Sequence, residues 1–131
     1  MIPVIATGTR FREPTIPGLG PASFWTSEHF YSSDELPASA VIVGGGAVGC
    51  ETAQVLNRFG CRVTLVQHSR QLLPREEPAV ADALAASLRE DGVDVRLSVE
   101  AASVGPAPAG THVTLDDGWS ATVERVIVAT E

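Results

Sequence analysis

Six consecutive residues, Gly44-Gly45-Gly46-Ala47-Val48-Gly49, constrain this chain more than any others. They fit G-x-G-x-x-G, a string that means little without its flanks. Here the flanks are informative. Ala40 to Val43 is a short continuous apolar run, as in a strand buried on both faces. Val48, Thr52, Val55, Leu56 and Phe59 then recur at helical spacing, and Gly60 supplies the C′ stop. A glycine turn between strand and helix is the setting in which this string holds a pyrophosphate. Gly44 permits the tight turn, Gly46 lets backbone approach the ligand, and Gly49 lets helix and strand pack closely. The helix N-terminus adds free N–H groups and partial positive charge, with Gly45, Ala47 and Val48 completing the cradle. The competing reading is a glycine-rich turn without a ligand, which the β-α-β context disfavours.

The pattern continues beyond the motif. Arg62 to Val66 is a second β-branched strand, and Leu72 to Pro78 a connection. Val80, Leu84 and Leu88 define a helical face that Gly92 ends, and Val93 to Val99 is a third strand. After Gly105-Pro106-Ala107-Pro108, two alternating runs, Thr111 to Leu115 and Trp119 to Val123, flank Asp116-Asp117-Gly118. Asp-Gly between alternating runs marks a hairpin, alone or within a three-strand meander. Arg125 to Ala129 is the last apolar strand. The order β-α-β-α-β-meander-β implies an α/β fold. It is a Rossmann-like doubly wound parallel sheet in which a β-meander replaces a crossover helix.

Residues 1–37 differ from this regular region. They hold five Pro and an aromatic cluster, Phe24, Trp25, Phe30 and Tyr31. Val4 to Gly8 reads as a short strand, Pro14 to Pro21 as an extended crossing with turns at Gly18 and Gly20, and Thr26-Ser27-Glu28 as a helix cap. The segment reads as a connection that lies against something else, and residues 38–131 as the domain proper.

Composition removes several function classes. With 131 residues the chain has enough length for one core, and is short for an enzyme using two cofactors. Nine Arg against sixteen acids give a net charge of −7, the opposite of a nucleic-acid binder's basic face. No apolar run approaches the roughly 18 residues of a membrane span. Cys50 and Cys61 make no metal or disulfide pattern and suit a reducing cytoplasm. Both read as packing residues, although Cys50 falls in a first helical turn, where a thiolate is favoured. His29 and His112 lack ligand spacing, so no metal is expected. Glu76-Glu77 reads as a helix-start pair and Trp119 as a hairpin aromatic.

The end of the second strand bears on cofactor choice. An NAD site places Asp or Glu there to bind the ribose 2′-OH. This chain has Gln67, 23 positions after Gly44, followed by His68, Arg70 and Arg75. Gln does not repel a 2′-phosphate, and Arg binds phosphate bidentately. NADP(H) is therefore favoured over NAD(H). The alternative is that Arg70 and Arg75 are solvated loop charges.

In order along the chain stand Ile5-Ala6-Thr7-Gly8-Thr9-Arg10, Ile16-Pro17-Gly18, Thr26-Ser27, Leu36-Pro37, the glycine string with Cys50-Glu51, and Val126-Ile127-Val128-Ala129-Thr130. This series resembles the flavin-dependent pyridine nucleotide-disulfide oxidoreductases, which include glutathione reductase, dihydrolipoamide dehydrogenase and mercuric reductase. Leu73 to Val80 is most similar to the mercuric reductase branch. The resemblance implies an excised NAD(P)H-binding domain whose partners are a missing FAD domain, with its redox Cys pair, and a missing dimerisation domain. The parent would be a homodimer using FAD as well as NAD(P)H. Residues 1–37 would then be the crossover from the FAD domain. By the same resemblance, Glu51 faces the nicotinamide amide, Ala129 belongs to the cofactor-binding strand end, and Ala47 leaves open a pocket that relatives close with Tyr. Glu131 stands where the family has Gly, so it and Met1 read as added residues. The competing reading of Glu51 is a first-turn acid favouring its helix N-terminus. No catalytic side chain is expected, and the isolated chain should not turn over. A stand-alone dinucleotide-binding regulatory module is the other function class. A flavin-free dehydrogenase would need a substrate domain for which no residues are left.

Overall fold

The structure, a computed structural model, describes residues 1–8, 14–20 and 23–130. Thr9-Arg10, Pro21 and Glu131, which figure in the sequence reading, lie outside the described residues. Among the described residues, eight strands and three helices follow in the order β1 (Trp25–Thr26), α1 (Ser27–Ser32), β2 (Ser39–Val43), α2 (Ala47–Arg58), β3 (Arg62–Gln67), α3 (Pro78–Glu90), β4 (Asp94–Leu97), β5 (Ala101–Ala107), β6 (Gly110–Leu115), β7 (Ser120–Val123) and β8 (Arg125–Val128). Five strands form a parallel sheet in the order β1-β8-β2-β3-β4, and β5-β6-β7 form a separate antiparallel sheet. The expected α/β architecture with a meander in a helix's place is the one observed.

Alternation along the buried strands explains the two layers. Successive side chains point to opposite faces of a sheet. Ala40, Ile42, Leu65 and Ile127 face one way and pack with Leu56, Ala53, Leu72, Ala85 and Leu88 of the helical side. Val41, Val66 and Val126 face the other way and pack with Val104, Val113, Leu115 and Val123 of the meander. The sheet is thus covered on both faces, as parallel sheets require.

Several local expectations change. Val4 to Gly8 forms no strand, and Val4 and Ile5 are exposed, because none of the described strands pairs with them. Thr26 does cap α1, but the partner at N3 is His29, whose Nδ1 accepts from the Thr26 N–H at 3.2 Å. The aromatic cluster is divided. Phe30 is buried among the helix-side residues, Phe24 packs toward the meander, and Tyr31 is exposed. Trp25 sits in the unforeseen edge strand β1, with the Arg125 guanidinium 4.7 Å from its ring centroid. The buried stripe of α3 is Ala81, Ala85 and Leu88 with Leu84 half-buried, while Val80 is exposed. Small alanines let α3 approach the sheet, so the large apolar residue did not mark the inward face. Phe59 is likewise exposed at the end of α2. Gly105-Pro106 does not interrupt the chain but lies inside β5, paired with His112 and Thr111. β4 is shorter than Val93 to Val99, since Ser98 turns out of it at φ 57°.

Candidate functional site

The glycine loop lies where strand order reverses. From β2 the chain proceeds through α2 to β3 and β4 on one side, and β8 returns on the other. Ligands of open α/β sheets bind outside the strand C-termini at such a point. Gly44 leaves β2 at φ +116°, and a Cβ there would stand 2.6 Å from the Ala129 carbonyl oxygen. A Cβ on Gly45 would stand 2.7 Å from Leu72 Cδ2 and 2.9 Å from Gln67 Cβ. A Cβ on Gly49 would meet the Gly44 carbonyl oxygen at 1.8 Å. These three glycines are therefore demanded by packing. Gly46 is different: a Cβ there has no neighbour within 4 Å, and its φ of −74° suits any residue.

Gly46 is also the N-cap of α2, and no side chain caps that helix. The first N–H groups of a helix have no intrahelical partners, so this end offers unpaired donors and the positive pole of the dipole. They face a cleft of ≈ 390 Å³ whose walls include Gly44, Gly45, Gly46, Ala47, Gln67 and His68, with Arg75 and Ala129. A second cleft of ≈ 350 Å³ opens on the meander side and shares Gly44, Gln67, His68 and Thr130 with the first.

Gln67 does more than avoid repelling a phosphate. It is buried at the end of β3, and its Oε1 accepts the Gly45 N–H at 2.9 Å. That bond fixes the loop and turns the amide oxygen of Gln67 toward Gly45. Leu73 N–H donates to the Gly45 carbonyl at 2.8 Å, tying the β3–α3 connection to the same loop.

The structure gathers eight of the sequence-identified residues around the first cleft: Gly44, Gly45, Gly46, Ala47, Gln67, His68, Arg75 and Ala129. Gly49 is buried behind it and Val48 half-buried in the helix-side packing. Arg70 is exposed and lines neither cleft. Glu51 is exposed at the fifth position of α2, and the first turn of that helix carries no acid, so the first-turn electrostatic reading does not hold. It shares the helix face of Ala47, four residues earlier. Pro74, Thr130 and the linker residues Pro14 to Ile16 also line the clefts. Ile16 and Thr130 stand in the motifs that carry the family resemblance, but no local pattern gave them or the others a site role, because only the fold brings the linker to the strand ends.

Cys50 donates its S–H toward the Gly45 carbonyl at 3.6 Å, and burial, helped by Glu51, pushes its thiol up to about 11. Burial with the Glu124 charge, partly offset by Arg62, pushes Cys61 up to about 11. Thiols held protonated at neutral pH are packing groups, not nucleophiles. Among the described residues there is no group of His, Cys, Asp or Glu able to hold a metal. None of their helices is long and apolar enough to cross a membrane.

A family profile described as pyridine nucleotide-disulphide oxidoreductase matches residues 3–130. A mercuric reductase of Shigella flexneri is 37% identical over 77% of this chain and 18% of its own length. A dihydrolipoyl dehydrogenase of Bacillus subtilis is 37% identical over 69% of this chain and 19% of its own length. Among solved structures, the HOCl-induced flavoprotein disulfide reductase RclA from Escherichia coli superposes with a TM-score of 0.84 at 30% identity, over 96% of this chain and 29% of that one. The chain thus spans about a fifth of the length of these two curated relatives.

Proposed function

The chain belongs to the pyridine nucleotide-disulphide oxidoreductase family, and we propose that it acts there as the NAD(P)H-binding domain of an FAD-dependent enzyme. Residues 38–131 form that domain, and residues 1–37 cross to it from an FAD domain. The parent is a cytoplasmic homodimer. The observation that carries the reading is Gly46. Its backbone needs no glycine and its Cβ position is open, yet it stands at an uncapped helix N-terminus beside a cleft. A bare backbone there suits close approach of a pyrophosphate.

The residues present fit the group. Gly46 and the first amides of α2 hold the pyrophosphate, with Gly44, Gly45 and Gly49 shaping the loop. The Gln67 NH₂ and the Arg75 guanidinium, with His68, receive a 2′-phosphate and favour NADPH over NADH, whereas Arg70 stands outside the clefts. Ala47 leaves the entrance open, and Glu51 on its helix face meets the nicotinamide carboxamide. When bound, the group supplies hydride donation from the reduced nicotinamide to flavin. This domain binds and orients; none of its side chains transfers a proton, so the isolated chain binds without turnover.

Calorimetric titration of the wild type and of Gly46→Val with NADPH and NADH tests the reading. The wild type should bind NADPH more tightly than NADH. The variant should keep its unfolding midpoint and lose NADPH binding by at least about a hundredfold, since a branched side chain occupies the pyrophosphate position. Equal affinity in both proteins would overturn the assignment.

A further inference from the structure

The linker before β1 carries Ile16-Pro17-Gly18-Leu19, a sequence built for one turn. Pro17 presets φ, Gly18 has φ +84°, and the Leu19 N–H donates to the Ile16 carbonyl at 3.0 Å, the pattern of a type II turn. The turn is fastened to the meander. The Val104 N–H donates to the Pro17 carbonyl at 2.9 Å, and a Cβ on Gly18 would stand 1.9 Å from the Val104 carbonyl oxygen. Ile16 and Leu19 pack on the meander-side core. So anchored, Pro14, Thr15 and Ile16 become one wall of the ≈ 350 Å³ cleft at the ends of β2 and β3.

The two clefts differ in chemistry. The first has the helix N-terminus and Arg75, and suits phosphates. The second has Ile16, Val43, Val66, Val99 and Ala101, with Glu100 the one carboxylate in its wall. Its size falls within the about 300–1,000 Å³ of ligand pockets, and its walls suit a flat uncharged ring. Gln67, at the strand end that meets the adenosine ribose, lines both clefts. With the phosphates on one side of Gln67, the base lies on the other.

We propose that the Ile16–Leu19 turn is a ligand-positioning element, which holds Pro14 to Ile16 against the adenine base of the bound dinucleotide. The inference rests on the dinucleotide-binding reading above. Adenine then slides between Ile16 and Val99, and its exocyclic amine donates toward Glu100. Affinity for the adenosine half depends on where the linker sits, so displacing the linker weakens the cofactor without touching the glycine loop.

The test is an NMR titration of the whole chain with adenosine 2′,5′-bisphosphate and, separately, with inorganic pyrophosphate. In the wild type, the nucleotide should shift the Ile16 and Val99 methyls together with the Gly46 amide, and pyrophosphate the Gly46 amide alone. Gly18→Ala, which forces the turn off β5, should weaken the nucleotide about tenfold and leave pyrophosphate unchanged. Ile16→Ala, which keeps the turn, should weaken it about threefold. Unmoved Ile16 and Val99 methyls, unchanged nucleotide affinity in both folded variants, or an equal loss for both ligands would each overturn the proposal. If the wild type binds neither ligand, the dinucleotide reading fails and takes this one with it. If it binds the nucleotide and the variants do so equally, this proposal alone fails.

Discussion

The two faces of the parallel sheet are built from the same strands but by different means. Under the helices lie Leu56, Leu65, Leu72 and Leu88, with Ala53, Ala85 and two buried thiols. Under the meander the residues are mostly valines: Val41, Val66, Val104, Val113 and Val126. The helical face also fixes the glycine loop by direct contact, through Gly49 against Gly44 and Gly45 against Leu72. The meander side shares a cleft wall with that loop and holds the linker turn. One face therefore sets the shape of the anion-binding end, and the other sets what stands opposite the ligand.

Substitutions should separate these roles. Gly49→Ala puts a methyl 1.8 Å from a carbonyl oxygen that cannot yield. It should cost on the order of 3 kcal/mol in urea unfolding and remove NADPH binding, because α2 must lift from the loop. A wild-type midpoint would break the contrast between the faces. Val113→Ala, on the fully buried meander side, should cost about 2 kcal/mol. NADPH affinity at 10 °C, measured on the folded variant, should fall less than for Gly49→Ala. An equal loss of binding would erase the distinction.

The thiols sharpen the helical side. Each ionises near 9.0 when unfolded and near 11 when folded, so the unfolded state loses its proton first. Their contribution to stability is complete below pH 9 and is withdrawn as pH rises toward 11, by roughly 1–2 kcal/mol per thiol. Urea melts at pH 8 and 10.5 should show that drop diminished in Cys50→Ala; an unaltered pH slope contradicts it. The smallest effect belongs to Gln67, which lies between the faces. Gln67→Met strands the Gly45 N–H and should cost about 1 kcal/mol, whereas Gln67→Glu keeps the acceptor and the stability. The Glu variant should bind NADH better relative to NADPH, and a preference unchanged from wild type would show that Gln67 does not select the cofactor.

Much of the fold was legible because it is written in local periods. The apolar run Ala40–Val43, the glycine string, the stops at Gly60 and Gly92 and the Asp-Gly hairpin each act within a few residues. The misreadings share a cause. Val80 falls at helical spacing with Leu84 and Leu88, but α3 docks through Ala81, Ala85 and Leu88 and leaves Val80 exposed. Gly105-Pro106 has the composition of a turn, but Pro106 pairs inside β5. Val4 to Gly8 has strand composition and no partner edge. In each case a distant neighbour decided what a local preference left open. The same holds for Arg75 and Arg70, similar in sequence yet only one at the cleft.

The sequence by itself determined the β-α-β unit, the left-handed turn at Gly44 and the donors at the start of α2, since backbone freedom and helix polarity are properties of the residues in place. It also determined the family, through motifs spread along the chain. Only the tertiary structure decided that Gly45 and Gly49 serve packing while Gly46 faces open space, that Gln67 spends its carbonyl on Gly45, and that the Ile16–Leu19 turn reaches the strand ends. Those outcomes depend on which surfaces meet across the sheet, and that is set by close packing of side chains far apart in sequence.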